Sequence, residues 1–396
     1  MTTAYRSLSP EALRREYAEV SARFDALREL GLALNMARGK PGKAQLDAVS
    51  DILTILHDPV QCQADGMDVR NYGQLSGLPS AKKLFAELLG CRAEECFIGG
   101  SASLTLMYDT IAKAYTHGLL HSEAPWSRLD KVKWLCPAPG YDRHFKITES
   151  FGAEMITVPM TPTGPDMDLV ETLVRDPAVK GMWCVPKYSN PDGIVYSAET
   201  VRRIAALKPA APDFLLMWDN AYCVHEFEGP FVPFDDILTL CREAGNPDMV
   251  FEYASTSKIT LPGAGISVMA ASTANLAYME KLMDIQMISY DKVNQLRHVL
   301  FLQDKAHTLA LISVSIYGTQ VRCETVCVAA LYHDAGEILT GDMPTPIKYF
   351  NPEIRGAYRK VEEVADQKLL AMLPPELRPI YENILRPADA EVEKLV

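Results

Sequence analysis

The chain has 396 residues, 48% of them hydrophobic, and is therefore long enough to bury a sizeable core. Its formal net charge of −12 argues against nucleic acid or an anionic membrane as the main partner. Nine scattered cysteines without zinc-site spacing, and an N-terminus without an apolar signal segment, favour a soluble cytoplasmic protein with free thiols and no metal.

The first predicted elements are a helix and two loops. The run Ser9-Pro10-Glu11 is typical of a helix start and predicts a helix towards Leu34. Gly39 and Tyr72 each lie in a loop punctuated by glycine and proline.

A short predicted strand at residues 96–98 leads into a glycine pair and then into Ser101, Ala102 and Ser103. Apolar residues return at helical spacing from Leu104 onwards. A strand, a glycine pair and hydroxyl residues at a helix start form an arrangement that binds anions.

Alternating strand and helix patterns follow this segment. The predicted strands are residues 132–136, 155–158, 181–186 and 214–218. The alternation indicates an α/β fold in which a mainly parallel sheet is flanked by helices and ligands bind at the carboxyl ends of the strands. A long helix is predicted from Thr273 to about Leu311, and an amphipathic helix is predicted at residues 356–373.

Three polar motifs follow apolar runs in this order: Asn190-Pro-Asp-Gly193, Asp219-Asn-Ala-Tyr222 and Ser255-Thr-Ser-Lys258. Each motif alone is also typical of an ordinary turn or helix cap. Lys258 lies between small hydroxyl residues and a Pro-Gly-Ala-Gly turn, and we expect its charge to be partly desolvated. Such an amine is suited to attack on an aldehyde.

In this order the motifs resemble those of class I, fold-type I aminotransferases, which use pyridoxal 5′-phosphate (PLP). The resemblance covers about residues 30–300, and the lysine segment is closest to the divergent aspartate aminotransferase subgroup. It implies a large PLP-binding domain at residues 51–300 and a smaller α+β domain from residues 1–50 and 301–396. It also implies a homodimer with shared active sites that moves an amino group between an amino acid, expected to be L-aspartate, and 2-oxoglutarate.

The resemblance further implies a role for each site residue. Lys258 would form a Schiff base with PLP and move the substrate Cα proton, while Asp219 would face the pyridinium nitrogen. Tyr222 and Asn190 would bond the ring's phenolic oxygen, and Asn190 would also meet the substrate carboxylate. Tyr141 would stack on the ring.

The cofactor phosphate would be bound by Ser101, Ala102, Ser103, Ser255 and Ser257. Tyr72 resembles the tyrosine that reaches the phosphate of the neighbouring subunit. Gly39 resembles a glycine whose backbone approaches the substrate carboxylate, although an ordinary loop glycine fits the same pattern.

Two departures from the family pattern stand out. Ile266 replaces an arginine that many relatives use for the phosphate, and the last ~90 residues lack the usual small-domain pattern. Arg386 lies near the position of the arginine that binds the substrate α-carboxylate, but a surface arginine fits equally. Lys292, Arg297 and Lys40 are candidate cations for an acidic substrate, and His144 or Arg143 could contribute.

These departures leave two alternatives open. One is a PLP-dependent C–S lyase or decarboxylase on the same scaffold. The other is a non-catalytic or impaired relative that binds PLP or another ligand.

Overall fold

The computed structural model describes residues 5–31, 40–225, 234–303, 352–373, 375 and 378–385. The chain divides into two compact units, Met1–Lys43 and Ala44–Val396. Within the first unit, a 3₁₀ turn at Tyr5–Ser7 precedes helix α1 (Pro10–Glu29). Ser9 caps α1 by accepting a hydrogen bond from the Ala12 amide at 3.2 Å. The prediction of a helix to Leu34 is wrong, because α1 ends at Glu29 and Gly31 adopts a left-handed φ of 61°.

The second unit contains an eight-stranded sheet. Its strands are β3 (Cys96–Ile98), β4 (Lys133–Ala138), β5 (Glu154–Thr161), β6 (Gly164–Pro165), β7 (Val179–Cys184), β8 (Leu215–Asp219), β9 (Val250–Ser255) and β10 (Ser267–Ala271). A separate hairpin pairs β1 (Gln63–Ala64) with β2 (Met67–Asp68). The order in the sheet is β3-β10-β9-β8-β7-β4-β5-β6. Strands β5, β4, β7, β8 and β9 run parallel, whereas β10, β3 and β6 pair antiparallel, so the predicted mainly parallel sheet is confirmed.

The described residues also form further α-helices. They are α2 (Lys43–Ala48), α3 (Pro79–Leu89), α4 (Ser103–Thr116), α5 (Asp142–Ser150), α6 (Met167–Leu173), α7 (Ala198–Ala205), α8 (Ile237–Glu243), α9 (Thr273–Gln286), α10 (Lys292–Gln303), α11 (Pro352–Met372) and α12 (Arg378–Leu385). Short 3₁₀ helices lie at Ser50–Leu53, Pro59–Cys62, Ala93–Glu95, Trp126–Arg128 and Thr256–Lys258. The amphipathic helix predicted at residues 356–373 corresponds to α11.

The central strands are apolar on both sides because each sheet face is covered. Leu216 and Trp218 of β8 pack into one buried cluster, while Leu215 and Met217 pack into the other. Continuous apolar runs are typical of parallel strands buried on both faces. Residues that follow the parallel strands therefore meet at one edge of the sheet.

The long helix predicted from Thr273 to Leu311 is instead two helices over its described part. Helix α9 ends at Gln286, and Met287 takes an extended conformation with φ −157° and ψ 162°. Asp291 then caps α10, because its Oδ1 accepts a hydrogen bond from the Asn294 amide at 2.9 Å. Residues 304–311 lie outside the described residues. Apolar residues continue at helical spacing from α9 into α10, so the spacing alone did not reveal the break, although Asp291 is a typical helix cap.

Candidate active site

Asp219 ends β8 at the carboxyl edge of the sheet and is 7% exposed. Its Oδ2 lies 2.9 Å from Nε2 of His144, and because a carboxylate only accepts, this nitrogen carries the proton. Its Oδ1 is buried and has no hydrogen-bond partner among the described residues. The carboxylate is thus fixed on one side and has unused acceptor capacity on the other.

His144 is held in place by two aromatic rings. Its ring stacks on Trp183 of β7 at a centroid distance of 4.3 Å and an angle of 7°, and it meets Tyr141 edge-on at 5.1 Å. The side chain is buried and its Nε2 is used by Asp219. The expectation that His144 could bind an acidic substrate is therefore wrong, since this nitrogen already orients a carboxylate.

Lys258 lies in the 3₁₀ turn after β9, with Nζ 4.6 Å from the centroid of the Tyr222 ring. The lysine is exposed, so the expected desolvation of its charge is wrong: its small neighbours do not cover it. Tyr222 is partly buried, and burial, followed by the nearby Asp219 and Tyr141, raises the pKa of its hydroxyl. The hydroxyl therefore stays protonated and remains a hydrogen-bond donor.

The serines predicted to bind a phosphate converge from two segments of the chain. Ser257 Oγ donates to the carbonyl oxygen of Ser101 at 3.1 Å, and Ser255 Oγ donates to Ser257 Oγ at 3.1 Å. Helix α4 begins at Ser103, and its N-cap, Ala102, has no side-chain cap. The amide groups of its first turn therefore have no capping side chain, as an anion site at a helix start requires.

The turn after the lysine closes tightly over this region. A Cβ added to Gly265 would lie 3.3 Å from both the Ser101 carbonyl oxygen and the Ser257 amide. Ile266 is 1% exposed. Its carbonyl oxygen accepts a hydrogen bond from the Thr256 amide at 2.9 Å, and its own amide donates to Thr256 Oγ1 at 3.0 Å. Burial of this position explains why an isoleucine fits there, so any phosphate must rely on the serines and amides.

Other predicted residues are not shown in contact with this cluster. Asn190 is exposed after β7, and Tyr72 is 84% exposed. Gly39 lies outside the described residues, as does Arg386. The structure thus brings together Lys258, Tyr222 and Asp219, while the roles of all the predicted site residues stay predictions.

The sequence did not predict that Trp183 contributes to the site, or that His144 binds Asp219. A histidine three residues after Tyr141, in the first turn of the helix that follows β4, was the available signal. Across the described part of the chain, no group of three or more His, Cys, Asp or Glu side chains could hold a metal ion. No helix in that part is both long and apolar enough to cross a membrane.

The sheet order and the polar residues at its carboxyl edge define the fold of the fold-type I aminotransferases. Residues 8–316 match the family model described as aspartate amino-transferase. The chain belongs to the aspartate aminotransferase family and is an aminotransferase.

Two comparisons illustrate this membership. The chain is similar to the aspartate aminotransferase of Corynebacterium glutamicum, with 45% identity over 288 residues, which are 73% of this chain and 67% of the relative. It is also similar to the crystal structure of an aspartate transaminase from Corynebacterium glutamicum, with a TM-score of 0.76 and 39% identity. That match covers 86% of this chain and 80% of the solved one.

The C-terminal part of the chain matches a second family. Residues 270–396 match the 5′-deoxynucleotidase YfbR-like model. A 5′-deoxynucleotidase of Vibrio vulnificus is 43% identical over 108 residues, which are 27% of this chain and 55% of the relative. The chain therefore spans about half the length of this relative, and the last ~90 residues lack the aminotransferase pattern because they resemble another family. The proposed domain boundaries at residues 50 and 300 stay predictions.

Proposed function

We propose that the protein transfers an amino group between L-aspartate and 2-oxoglutarate, using PLP held covalently by Lys258. The observation that carries this proposal is the carboxylate of Asp219, buried with Oδ2 on His144 and Oδ1 without a partner among the described residues. When bound, PLP supplies a ring that withdraws electrons from the substrate Cα.

The residues present fit this cofactor. A buried acceptor without a donor costs about 1–3 kcal/mol or more, and a protonated ring nitrogen would supply a charged donor to Asp219 Oδ1. The amides at the start of α4, with the hydroxyls of Ser101, Ser255 and Ser257, fit a phosphate group. Tyr141 and Asn190 would contact the ring from the segments after β4 and β7.

The chain's own side chains would then control protons at the site. Asp219 would hold a proton on the ring nitrogen, and His144 would keep that carboxylate oriented. Lys258 would move the proton at the substrate Cα once its amine is released. Tyr222, whose hydroxyl stays protonated, would donate to the ring's phenolic oxygen beside the lysine.

The choice of L-aspartate is supported by the names of the relatives that are 45% and 39% identical. A homodimer is supported by Tyr72, whose 84% exposure suits a side chain that serves a second subunit. The seven cysteines in the described ranges are free thiols, which suits a cytoplasmic location. Gly39 stays a proposed contact for the substrate carboxylate.

The test is an absorbance spectrum of the purified protein with PLP, recorded before and after L-aspartate is added. We expect a visible band that moves to shorter wavelength with L-aspartate and returns with 2-oxoglutarate. A band that ignores L-aspartate but responds to other amino acids would overturn the substrate assignment. The absence of any band would overturn the assignment of Lys258 to PLP.

We propose as a second candidate function that the C-terminal part of the chain hydrolyses 5′-deoxynucleotides. The supporting observation is the match of residues 270–396 to the deoxynucleotidase model. Release of inorganic phosphate from 2′-deoxynucleoside 5′-monophosphates, unchanged in a Lys258→Ala variant, is the expected result. No release above a buffer blank would contradict this candidate and leave the aminotransferase proposal intact.

A further inference from the structure

Helix α10 begins with a buried lysine. Lys292 is 3% exposed, and its Nζ donates to the carbonyl oxygens of Asn71 at 2.7 Å and Gly73 at 2.9 Å. A third, longer hydrogen bond reaches Ser289 Oγ at 3.4 Å. An ammonium group has three donors, so this set uses all of them. The expectation that Lys292 could bind an acidic substrate is therefore wrong.

The two carbonyl oxygens that Lys292 binds lie on either side of Tyr72. The Tyr72 amide donates to Asn71 Oδ1 at 2.8 Å, which adds a third polar contact to the same turn. Gly73 and Gln74 both adopt left-handed conformations, with φ of 94° and 62°. The chain therefore turns tightly around one ammonium group and leaves the tyrosine side chain 84% exposed.

This use of a lysine is costly for the fold. Within the described residues Lys292 forms no ion pair, so its buried charge depends mainly on these hydrogen bonds, with a smaller favourable contribution from the nearby Asp291 carboxylate. Burial lowers the pKa of the Lys292 ammonium, in the direction that this cost requires. The Lys292 ammonium fixes the position of the backbone on both sides of Tyr72.

The same helix holds the turn after Lys258. Asn294 Nδ2 donates to the carbonyl oxygens of Ala264 and Gly265, each at 3.0 Å. Lys292 and Asn294 therefore connect the Tyr72 turn and the lysine turn through one rigid element. A displacement of either turn would have to move α10 with it.

We propose that Lys292 is a positioning residue that holds Tyr72 for the phosphate site of a second copy of this chain. The inference rests on the proposed function, because Tyr72 acts there on the cofactor of the neighbouring subunit. Lys292 touches neither cofactor nor substrate and acts only through the Asn71 and Gly73 carbonyl oxygens.

The experiment is a double-mutant cycle on cofactor affinity, measured by titration of the apoenzyme with PLP and, separately, with pyridoxal. Tyr72→Phe removes one hydrogen bond to a charged phosphate and should weaken PLP binding about tenfold. Lys292→Met should weaken it by a similar factor, and the double variant should be no weaker than either single one. Pyridoxal has no phosphate, so its affinity should change less than twofold in all three variants.

Controls separate positioning from folding. Lys281→Met, on the exposed face of α9, should bind both cofactors like the wild type. If Lys292→Met does not fold, Lys292→Gln keeps amide donors near the two carbonyl oxygens and should show a smaller loss of PLP affinity in the same direction.

Three results would overturn the inference: additive effects of the two substitutions, an equal loss of pyridoxal affinity, or a Tyr72→Phe variant that binds PLP normally. In each case PLP binding by the wild type would still support the proposed function. A wild-type protein that binds no PLP would overturn both.

Discussion

The sheet region at residues 44–303 and the C-terminal helices α11 and α12 differ in how much apolar surface they bury. In the sheet region, two clusters of buried side chains cover both faces of the strands. Among the described side chains of α11, Ala365 and Leu370 are buried, whereas Val361, Val364 and Met372 are exposed. The described side chains of α11 therefore bury little apolar surface compared with those of the sheet region.

The family matches divide the chain in a similar way, although residues 270–303, with α9 and α10, lie in both matches. The sheet region carries the candidate site and lies within the aminotransferase match, while the C-terminal helices lie only within the deoxynucleotidase match. One chain thus joins a sheet region of the aminotransferase family to a segment that resembles a different family. We therefore expect substitutions in the sheet region to lower catalytic activity and stability far more than matched substitutions in α11.

The largest expected effect is that of Lys258→Ala. Loss of the amine that we propose holds the cofactor and moves the proton should lower kcat for L-aspartate and 2-oxoglutarate by more than about 10³-fold. Lys368→Ala, at an exposed lysine of α11, should stay within about twofold of the wild type in the same coupled assay. A Lys258→Ala protein with the wild-type rate would refute the assignment of this lysine.

Core substitutions test whether the two regions unfold independently. Leu216→Ala, in the middle of β8, should lower the free energy of unfolding by about 2–5 kcal/mol. All four tryptophans lie between residues 126 and 218, so fluorescence during urea unfolding reports on the sheet region. Leu370→Ala should leave that fluorescence transition within about 0.5 kcal/mol of the wild type. A shift as large as that of Leu216→Ala would show that α11 is part of the same cooperative unit.

Asp219→Asn sharpens the role of the buried carboxylate. The amide can still accept a hydrogen bond from His144 but has no negative charge for a protonated ring nitrogen, so PLP affinity should fall about 10- to 100-fold. Asp366→Asn in α11 is the matched control and should leave the dissociation constant unchanged. If the Asp219→Asn and wild-type proteins bind PLP with equal affinity in a spectroscopic titration, the negative charge of Asp219 does not contribute to cofactor binding.

The smallest expected effect concerns Glu252 in β9. Its Oε1 accepts from Asn220 Nδ2 at 2.8 Å, and burial raises its pKa to about 8. The folded state therefore binds more protons than the unfolded state between pH 4.5 and 8, and the free energy of unfolding falls as the pH rises through this window. Between pH 6 and 7.5 the fall should be about 2 kcal/mol.

Glu252→Gln should abolish this pH dependence, because a glutamine keeps an acceptor for Asn220 and does not ionise. Urea unfolding followed by fluorescence at pH 6.0 and 7.5 measures the difference. Parallel pH profiles of the variant and the wild type would assign the dependence to another group.

The sequence was sufficient for the architecture and for the meeting of Lys258, Tyr222 and Asp219. Asp219 ends β8, Tyr222 follows β8 and Lys258 follows β9. Neighbouring parallel strands end at the same edge of a sheet, so the order of motifs determines the proximity of these residues. The stacking of His144 on Trp183 was not predictable in this way. It depends on which face of α5 packs against β7, and local periodicity does not specify that register.

The role of Lys292 was hidden for a related reason. Its acceptors at Asn71 and Gly73 lie on a distant loop, and backbone carbonyl oxygens leave no signature in a sequence. The break between α9 and α10 was missed because apolar residues continue at helical spacing through it. The sequence of the last ~90 residues visibly lacked the aminotransferase pattern. Its resemblance to the 5′-deoxynucleotidases was not predicted.

The sheet order also constrains the sequence of events during synthesis. Strand β3, which leads into the serines at the start of α4, joins the sheet only through β10, with Val268 opposite Ile98. A nascent chain therefore cannot anchor β3 until residues 267–271 have left the ribosome, although β4, β5, β7 and β8 can already pair. The turn proposed to bind the phosphate is consequently among the last parts of the sheet to be fixed, and a chain interrupted before β10 would lack the strand that anchors it.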